Sequence, residues 1–361
     1  MSNLEPYIQE AAALAPSLSS TLEKQLDPTG EDYANPLEES SRWVLSARAY
    51  GIRSAASLAF SIANRQTPVA PSPTKIIWLD STLSPEWKGK QKLRVEVWIP
   101  RKKIGLKRTA IINFHGGGFV LGNGTDDARW ADSAMKDLDA VVFSVNYRLA
   151  PSYPFPTPVE DCADAILQIS KRADEFGIDR DRIILTGFSA GGSLAPASWA
   201  LLQDPKRWNY KLSSPVPNIA GMALFYPLLD WSISRPKKRQ CSVKPELTLP
   251  KNLTDLFDAS YVYPPIPREK RDDPRLSPGL MPDEMLERFP PLHLCLCEHD
   301  MLLAEGHTFA ERLRGKDKPV EVRVVKEAKH AFDKPLPMAP IKEVQIEYDS
   351  AVQSIKGWLR K

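Results

Sequence analysis

The pattern best suited to chemistry is a serine with a glycine two residues before it and two residues after it, in the run Gly-Phe-Ser-Ala-Gly at 187–191. A serine hydroxyl is a weak nucleophile unless a base reaches it and the backbone holds it rigidly. The run lies between a predicted strand (182–186) and a predicted helix (190–202), and a tight turn between such elements presents the serine at its apex. We therefore predict that Ser189 is a nucleophile; a glycine turn without a chemical role is the alternative interpretation.

A second glycine run, His-Gly-Gly-Gly at 115–118, directly follows a predicted strand (110–114). Acyl transfer passes through an oxyanion that must be met by preorganised N–H donors, and glycines let the backbone approach a substrate. The expected donors are the amides of Gly117, Gly118 and Ala190. A phosphate-binding loop is the rival interpretation, but the run has neither a following Lys-Ser/Thr pair nor the G-x-G-x-x-G spacing.

The base that such a serine requires is sought among five histidines. His330 follows the last predicted strand, on a loop at its carboxyl end, and is the best placed. His115 lies in the glycine run, and His293 lies at the start of a predicted strand. His299 is next to an aspartate in sequence, and His307 is on a predicted helix.

The carboxylate that orients the base is expected at the carboxyl end of the predicted strand 292–297. Asp300 is the leading candidate there. Glu298 and Glu305 are alternatives, one too early on the loop and the other carried onto a helix.

The elements that position these residues alternate between strand and helix along most of the chain. This alternation indicates an α/β fold with a mostly parallel sheet covered by helices on both faces, and with catalytic residues at the carboxyl ends of the strands. The predicted strands are 75–79, 93–98, 110–114, 140–145, 182–186, 219–226, 292–297 and 320–325, and the predicted helices are 36–64, 159–172, 190–202, 304–314 and 343–359.

Two segments fall outside the alternation within what we predict to be a single domain, 1–361. Residues 231–287, rich in proline and charge, are too long for an ordinary connection, so we predict an insertion. The helical segment 1–65 is expected to form a cap over the site together with it. The basic run 236–239 is expected to be a solvated loop.

Composition excludes several classes of protein. The net charge of +3 over 361 residues does not indicate nucleic acid or an anionic membrane as a partner. The sequence has no apolar stretch long enough to span a membrane, and we expect no secretory signal, because the first residues lack a basic region followed by an apolar core. Four cysteines are too few for a disulfide framework. We expect a cytoplasmic protein that needs no metal or cofactor.

The chain resembles the hormone-sensitive-lipase-like esterases of the α/β-hydrolase superfamily across residues 75–360. The resemblance implies the α/β-hydrolase fold, the chain order Ser189, Asp300, His330 for the triad, an oxyanion hole at Gly117, Gly118 and Ala190, and a helical cap. The chain departs from the family at Phe188 and Asn146, which stand where the family often has aspartate. The motifs that carry it are His115 to Gly118, Tyr147-Arg148-Leu149-Ala150-Pro151 with Pro154-Phe155-Pro156, Glu160-Asp161, Gly187 to Gly192, His299-Asp300-Met301-Leu302 with Glu305, and His330-Ala331-Phe332.

The predicted function is hydrolysis of carboxylic esters of small to medium soluble substrates through an acyl-enzyme. The same triad could instead serve lactone, thioester, amide or C–C bond chemistry, because this fold hosts many reactions. A non-catalytic small-molecule receptor of the gibberellin-receptor kind, which lacks the base, is disfavoured by His330, and an interaction protein would not need a triad. A homodimer is plausible by resemblance alone. Four aromatic residues are candidates to line the substrate pocket, although such residues are more often core: Phe119, Trp130, Phe188 and Tyr226.

Overall fold

An eight-stranded sheet forms the centre of the computed structural model, which describes residues 35–64, 69–101, 107–334 and 342–360. The spatial order is β1-β2-β4-β3-β5-β6-β7-β8. β1 pairs with β2, and β2 with β4, in antiparallel fashion, and every later pairing is parallel. The predicted α/β-hydrolase fold is confirmed. The strands are β1 Lys75–Asp80, β2 Lys92–Trp98, β3 Arg108–Phe114, β4 Val141–Asn146, β5 Ile178–Phe188, β6 Ile219–Phe225, β7 Leu292–Cys297 and β8 Val320–Val325.

Helices cover both faces of the sheet and form two separate cores. α2 and α10 pack on one face, while α3, α5 and α9 cover the other. The central strands are apolar on both sides because both sides are covered, as the continuous run in β3 predicts. The helices are α1 Arg42–Asn64, α2 Ala128–Leu138, α3 Thr157–Lys171, α4 Ala173–Phe176, α5 Ala190–Gln203, α6 Arg235–Gln240, α7 Lys251–Tyr261, α8 Asp283–Leu286, α9 Leu303–Arg314 and α10 Lys342–Trp358.

The N-terminal helix is shorter than predicted. α1 begins at Arg42 rather than near residue 36, because residues 36–40 form turns closed by backbone hydrogen bonds. Its Leu45 packs with Leu256 and Ala259 of α7, so α1 and the 231–287 segment meet. The rest of the predicted N-terminal cap segment, 1–34 and residue 65, lies outside the described residues.

The prediction that the basic run 236–239 is a solvated loop is wrong. The run lies in α6, which begins after Ser234, whose hydroxyl accepts a hydrogen bond from the amide of Lys237. Lys238 is buried, and its ammonium pairs with the carboxylate of Glu305 on α9 and donates to the carbonyl of Asp230. A lysine is buried here because a carboxylate compensates its charge. The sequence around Lys238 does not indicate that Glu305, 67 residues later, is its partner.

None of the helices in the described ranges is both long enough and apolar enough to cross a lipid bilayer.

Candidate active site

Ser189 occupies a strained turn between β5 and α5. Its φ of 51° is in the left-handed region, which non-glycine residues rarely adopt and which is found at functional turns. Glycine is required on either side: a Cβ added at Gly191 would lie 1.9 Å from the carbonyl oxygen of Phe114, and one at Gly187 would lie 2.2 Å from that of Gly191. The turn leaves Ser189 partly exposed while its neighbours are buried.

Three side chains from three loops meet at this turn. The Oγ of Ser189 lies 2.8 Å from Nε2 of His330, and Nδ1 of the same ring lies 2.6 Å from Oδ2 of Asp300. β5, β7 and β8 end at the same edge of the sheet, so the loops that follow them converge although the residues are up to 141 positions apart. The imidazole and the carboxylate are 4% and 1% exposed, which keeps water from competing for their hydrogen bond.

The two alternative acids are engaged elsewhere. Glu298 accepts hydrogen bonds from Nζ of Lys326 at 2.9 Å and from the amide of Glu327 at 2.7 Å. Glu305 accepts from the amide of Leu229 at 2.7 Å and pairs with Lys238. Asp300 is therefore the carboxylate that the fold directs at the imidazole.

The glycine run packs directly beside Ser189. Gly117 and Gly118 have φ of 113° and 59°, and a Cβ added at Gly116 would lie 3.6 Å from that of Ser189. Among the described residues, no backbone carbonyl accepts a hydrogen bond from the amide of Gly117 or Gly118. Ala190 opens α5, where the first amides of a helix have no partner within the helix. The arrangement can therefore offer N–H donors to an anion next to the serine.

The Tyr147–Pro151 block holds the glycine run in place. The hydroxyl of Tyr147 donates to the carbonyl of His115 at 2.8 Å, and the two rings stack 4.3 Å apart. Burial lowers the pKa of His115 to about 4, so this imidazole is neutral. Arg148 pairs with the buried carboxylate of Asp161, which anchors the block to α3.

Three of the four aromatic residues predicted to line a pocket lie instead in the core beneath the site. Trp130 and Phe188 have no exposed surface, and Tyr226 is 1% exposed. All three pack on the face covered by α2 and α10, with Phe188 stacked 4.4 Å from Phe225. A substrate has no free surface to contact on them, because strand alternation turns Phe188 away from the side on which Ser189 projects.

The fourth aromatic residue, Phe119, packs in the other core. It stacks on Tyr261 of α7 at 3.7 Å and is 2% exposed. Its role is to seat α7 on the glycine run, and it offers almost no surface to a substrate.

Sequence reasoning missed two charged residues close to His330, one of them buried and the other with a side chain 12% exposed. Asp333 and Lys334 follow it by three and four positions and pair with each other and, through Lys334, with Asp127. An Asp-Lys pair in a sequence is typical of a solvated loop, so the sequence carried no signal for this cluster. Within the described ranges, no three His, Cys, Asp or Glu side chains gather as a metal site would require.

Comparisons with known proteins agree with this arrangement. A family model described as the alpha/beta hydrolase fold matches residues 111–334. An arylesterase of Saccharolobus solfataricus is 31% identical over 66% of this chain and 72% of its own length, and the esterase LipI of Mycobacterium tuberculosis is 29% identical over 65% and 69%. The solved structure of a hyperthermophilic esterase from Pyrobaculum calidifontis superposes with a TM-score of 0.70 at 25% identity, covering 87% of this chain and 94% of that one.

Proposed function

The chain belongs to the hormone-sensitive-lipase-like carboxylesterases of the α/β-hydrolase family, and from this premise we propose that it hydrolyses esters of small to medium soluble substrates through an acyl-enzyme on Ser189. The observation that carries the proposal is the continuous hydrogen-bond chain from Ser189 through His330 to Asp300. A serine, an imidazole and a carboxylate in this order suffice for acyl transfer when an oxyanion hole lies beside them.

The reaction begins with proton transfer from the serine. Nδ1 of His330 carries a proton and donates a hydrogen bond to Asp300. Nε2 is therefore free to accept the proton of the Ser189 hydroxyl as Oγ attacks the ester carbonyl. The carbonyl oxygen becomes an oxyanion that the amides of Gly117, Gly118 and Ala190 stabilise, and each such donor contributes on the order of 3 kcal/mol.

Collapse of this intermediate expels the alcohol, which takes the proton from Nε2 of His330. Water then enters, gives a proton to the same nitrogen and attacks the acyl carbon. The second intermediate releases the carboxylic acid and restores Ser189. Asp300 keeps the imidazole in one tautomer and stabilises its charged form throughout.

The surroundings of the glycine run support a limit on substrate size. Arg53 of α1 donates from Nε to the carbonyl of Val120 and from a terminal nitrogen to that of Ala150, both at 2.6 Å. Phe257 of α7 packs against Gly118. We therefore propose that 1–65 and 231–287 act as cap segments of one domain and restrict the approach to the glycine run. Two contacts support the proposal: α1 binds the carbonyls of Val120 and Ala150, and α7 packs against Gly118.

The test is turnover of p-nitrophenyl esters from acetate to palmitate by the wild-type protein and by Ser189→Ala. We expect the substitution to reduce kcat on the order of 10⁶-fold, and kcat/KM of the wild type to fall toward palmitate. Ser198→Ala, in the same helix and donating only to the carbonyl of Ala195, is the matched control. Unchanged turnover by Ser189→Ala would refute the nucleophile, and preference for emulsified long-chain triglyceride would refute the substrate class.

The cytoplasmic location, the absence of a nucleic-acid partner and the homodimer stay predictions. All four cysteines are free thiols, which is typical of a reducing compartment. Cell fractionation tests the first, a nucleic-acid binding assay the second, and light scattering on the purified protein the third.

A further inference from the structure

A buried ionic cluster lies directly below the triad and takes no part in the reaction described above. We call Lys334, Asp333 and Asp127 the Lys334 cluster. The ammonium of Lys334 contacts the carboxylate of Asp333 and lies 3.1 Å from Oδ1 of Asp127. The three side chains are 12%, 0% and 1% exposed. Charges buried to this extent persist only when they compensate one another, so each member constrains the position of the others.

One side of the cluster reaches the base. Asp333 follows His330 by three residues, and its Oδ1 accepts a hydrogen bond from the hydroxyl of Tyr226. The ring of Tyr226 packs edge-on against the imidazole of His330, with the ring centroids 4.9 Å apart. The second oxygen of Asp333 accepts from the hydroxyl of Tyr348 on α10 at 2.6 Å. Asp333 thus constrains the loop that carries His330, because both residues belong to it. Through its hydrogen bond with Tyr226, Asp333 also constrains the ring against which the imidazole packs.

The other side reaches the nucleophile. The ammonium of Lys334 lies 3.9 Å from the centre of the Phe188 ring, and Phe188 directly precedes Ser189. A cation over an aromatic face is attracted by the ring's quadrupole, and the attraction is strongest where both are desolvated. Lys334 therefore connects the loop that carries the base to the turn that carries the serine.

Asp127 extends the connection to the strands below the site. Its Oδ2 accepts from the side-chain amide of Asn113 at 2.7 Å, and the oxygen of Asn113 accepts from the hydroxyl of Thr186 at 2.7 Å. Asn113 is on β3 and Thr186 on β5, the strands that lead into the glycine run and the Ser189 turn. The Ser189 turn, the His330 loop and the strand that leads into the glycine run are thereby tied to one ammonium group.

The charges of the cluster are consistent with an ion-paired state. Burial opposes the charge of Lys334, but Asp333 and Asp127 together hold its pKa above the ordinary value. Burial raises the pKa of Asp127, and Lys334 opposes that rise. An uncharged residue in place of the lysine would leave two carboxylates facing each other without compensation.

We propose that Lys334, Asp333 and Tyr226 are positioning residues that set the distance between His330 and Ser189. The inference rests on the proposed function and deepens it, since it assigns a role to residues that form no bond and transfer no proton in the reaction. A displacement of about 1 Å in a catalytic group lowers a rate on the order of 10²-fold. Loss of the cluster should therefore lower kcat while leaving substrate affinity intact.

The test compares kcat and KM of Lys334→Met and Tyr226→Phe with those of the wild type, well below the melting temperature. We expect kcat to fall about 10²-fold in Lys334→Met and about tenfold in Tyr226→Phe, which removes only the hydroxyl that binds Asp333. KM should stay within about twofold in both, because the chain of contacts acts on the triad and not on the binding surface. The rate of labelling by a fluorophosphonate should fall in parallel with kcat.

The matched control is Lys136→Met, which should behave as wild type. Lys136 is on α2, and its side chain is 70% exposed. Wild-type kcat in Tyr226→Phe overturns the proposal, even where Lys334→Met fails to fold. A rise in KM with unchanged kcat overturns it as well, because that result describes a binding role. Retained turnover in Ser189→Ala refutes the proposed function and this inference with it. Where Ser189→Ala is inactive, wild-type kcat in Tyr226→Phe refutes the positioning role and leaves the proposed function intact.

Discussion

The ring of Phe257 occupies the place where a side chain at Gly118 would begin. A Cβ added at Gly118 would lie 2.1 Å from Cδ2 of Phe257, and the φ of this glycine is +59°. The contact joins α7 to the glycine run that follows β3. The helix α7 thus restricts which residue the proposed oxyanion loop can carry at position 118.

Gly118→Ala is expected to lower kcat by about 10²–10³-fold, because the methyl group and the ring cannot share the space and the amide donor must move. Gly177→Ala is the matched control: its φ is +64°, so the backbone strain is similar, but no atom lies within 4 Å of the added Cβ. Steady-state kinetics of both variants separate the clash from the strain. Equal activity in the two variants would contradict the assigned donor role.

Asp300→Asn is expected to lower kcat about 10⁴-fold with little change in stability, because an amide favours the wrong tautomer of the imidazole. Glu298→Gln should be close to wild type, since its partners are Lys326 and the amide of Glu327. Single-turnover kinetics with a p-nitrophenyl ester measure both. A larger loss in the Glu298 variant would reverse the assignment of the acid.

Asp161→Asn is expected to reduce the free energy of unfolding by about 3–5 kcal/mol, because it leaves the guanidinium of Arg148 buried without a counter-charge. Asp161 is completely buried, and burial raises its pKa to about 6 although Arg148 opposes the shift. Denaturant titration at neutral pH measures the loss. The double variant Arg148→Met/Asp161→Leu removes both charges and should recover part of the stability; a double variant less stable than the single one would contradict this account.

His293 is expected to make the protein less stable in acid. It is completely buried, its Nδ1 lies 2.8 Å from Oγ of Ser354, and burial lowers its pKa from 6.5 to about 4. Between pH 6.5 and 4 the imidazole takes up a proton in the unfolded chain but not in the folded chain. The free energy of unfolding therefore decreases as the pH falls from 6.5 toward 4. The slope is at most about 1.4 kcal/mol per pH unit.

The measurement is the free energy of unfolding of the wild type and of His293→Gln at pH 7.5 and at pH 5. The advantage of the wild type over the variant should shrink by up to about 2 kcal/mol between the two values. His115, also held neutral by burial, is present in both proteins and cancels in the difference. Parallel pH dependence in the two proteins would show that His293 titrates normally when folded.

The sequence predicted the elements that have a strong local signal. All eight strands lie within a few residues of the predicted ranges, because the central ones are continuous apolar runs bounded by turns. The helix α2 was missed, although it packs against the sheet through Trp130 and Ala134. α6 was missed as well, because the burial of Lys238 depends on Glu305, far away in sequence.

The sequence by itself determined the types of group available at the ends of the strands: a serine between glycines, a glycine run, and a histidine and an aspartate on late loops. The reason is that strand alternation and tight turns depend on neighbouring residues, which one chain displays directly. Only the tertiary structure decided which face each aromatic ring would join, so that Phe188 and Trp130 became core, and which distant charges would meet below His330. Those outcomes depend on packing and on charge compensation between segments far apart in the chain, and no local pattern encodes them.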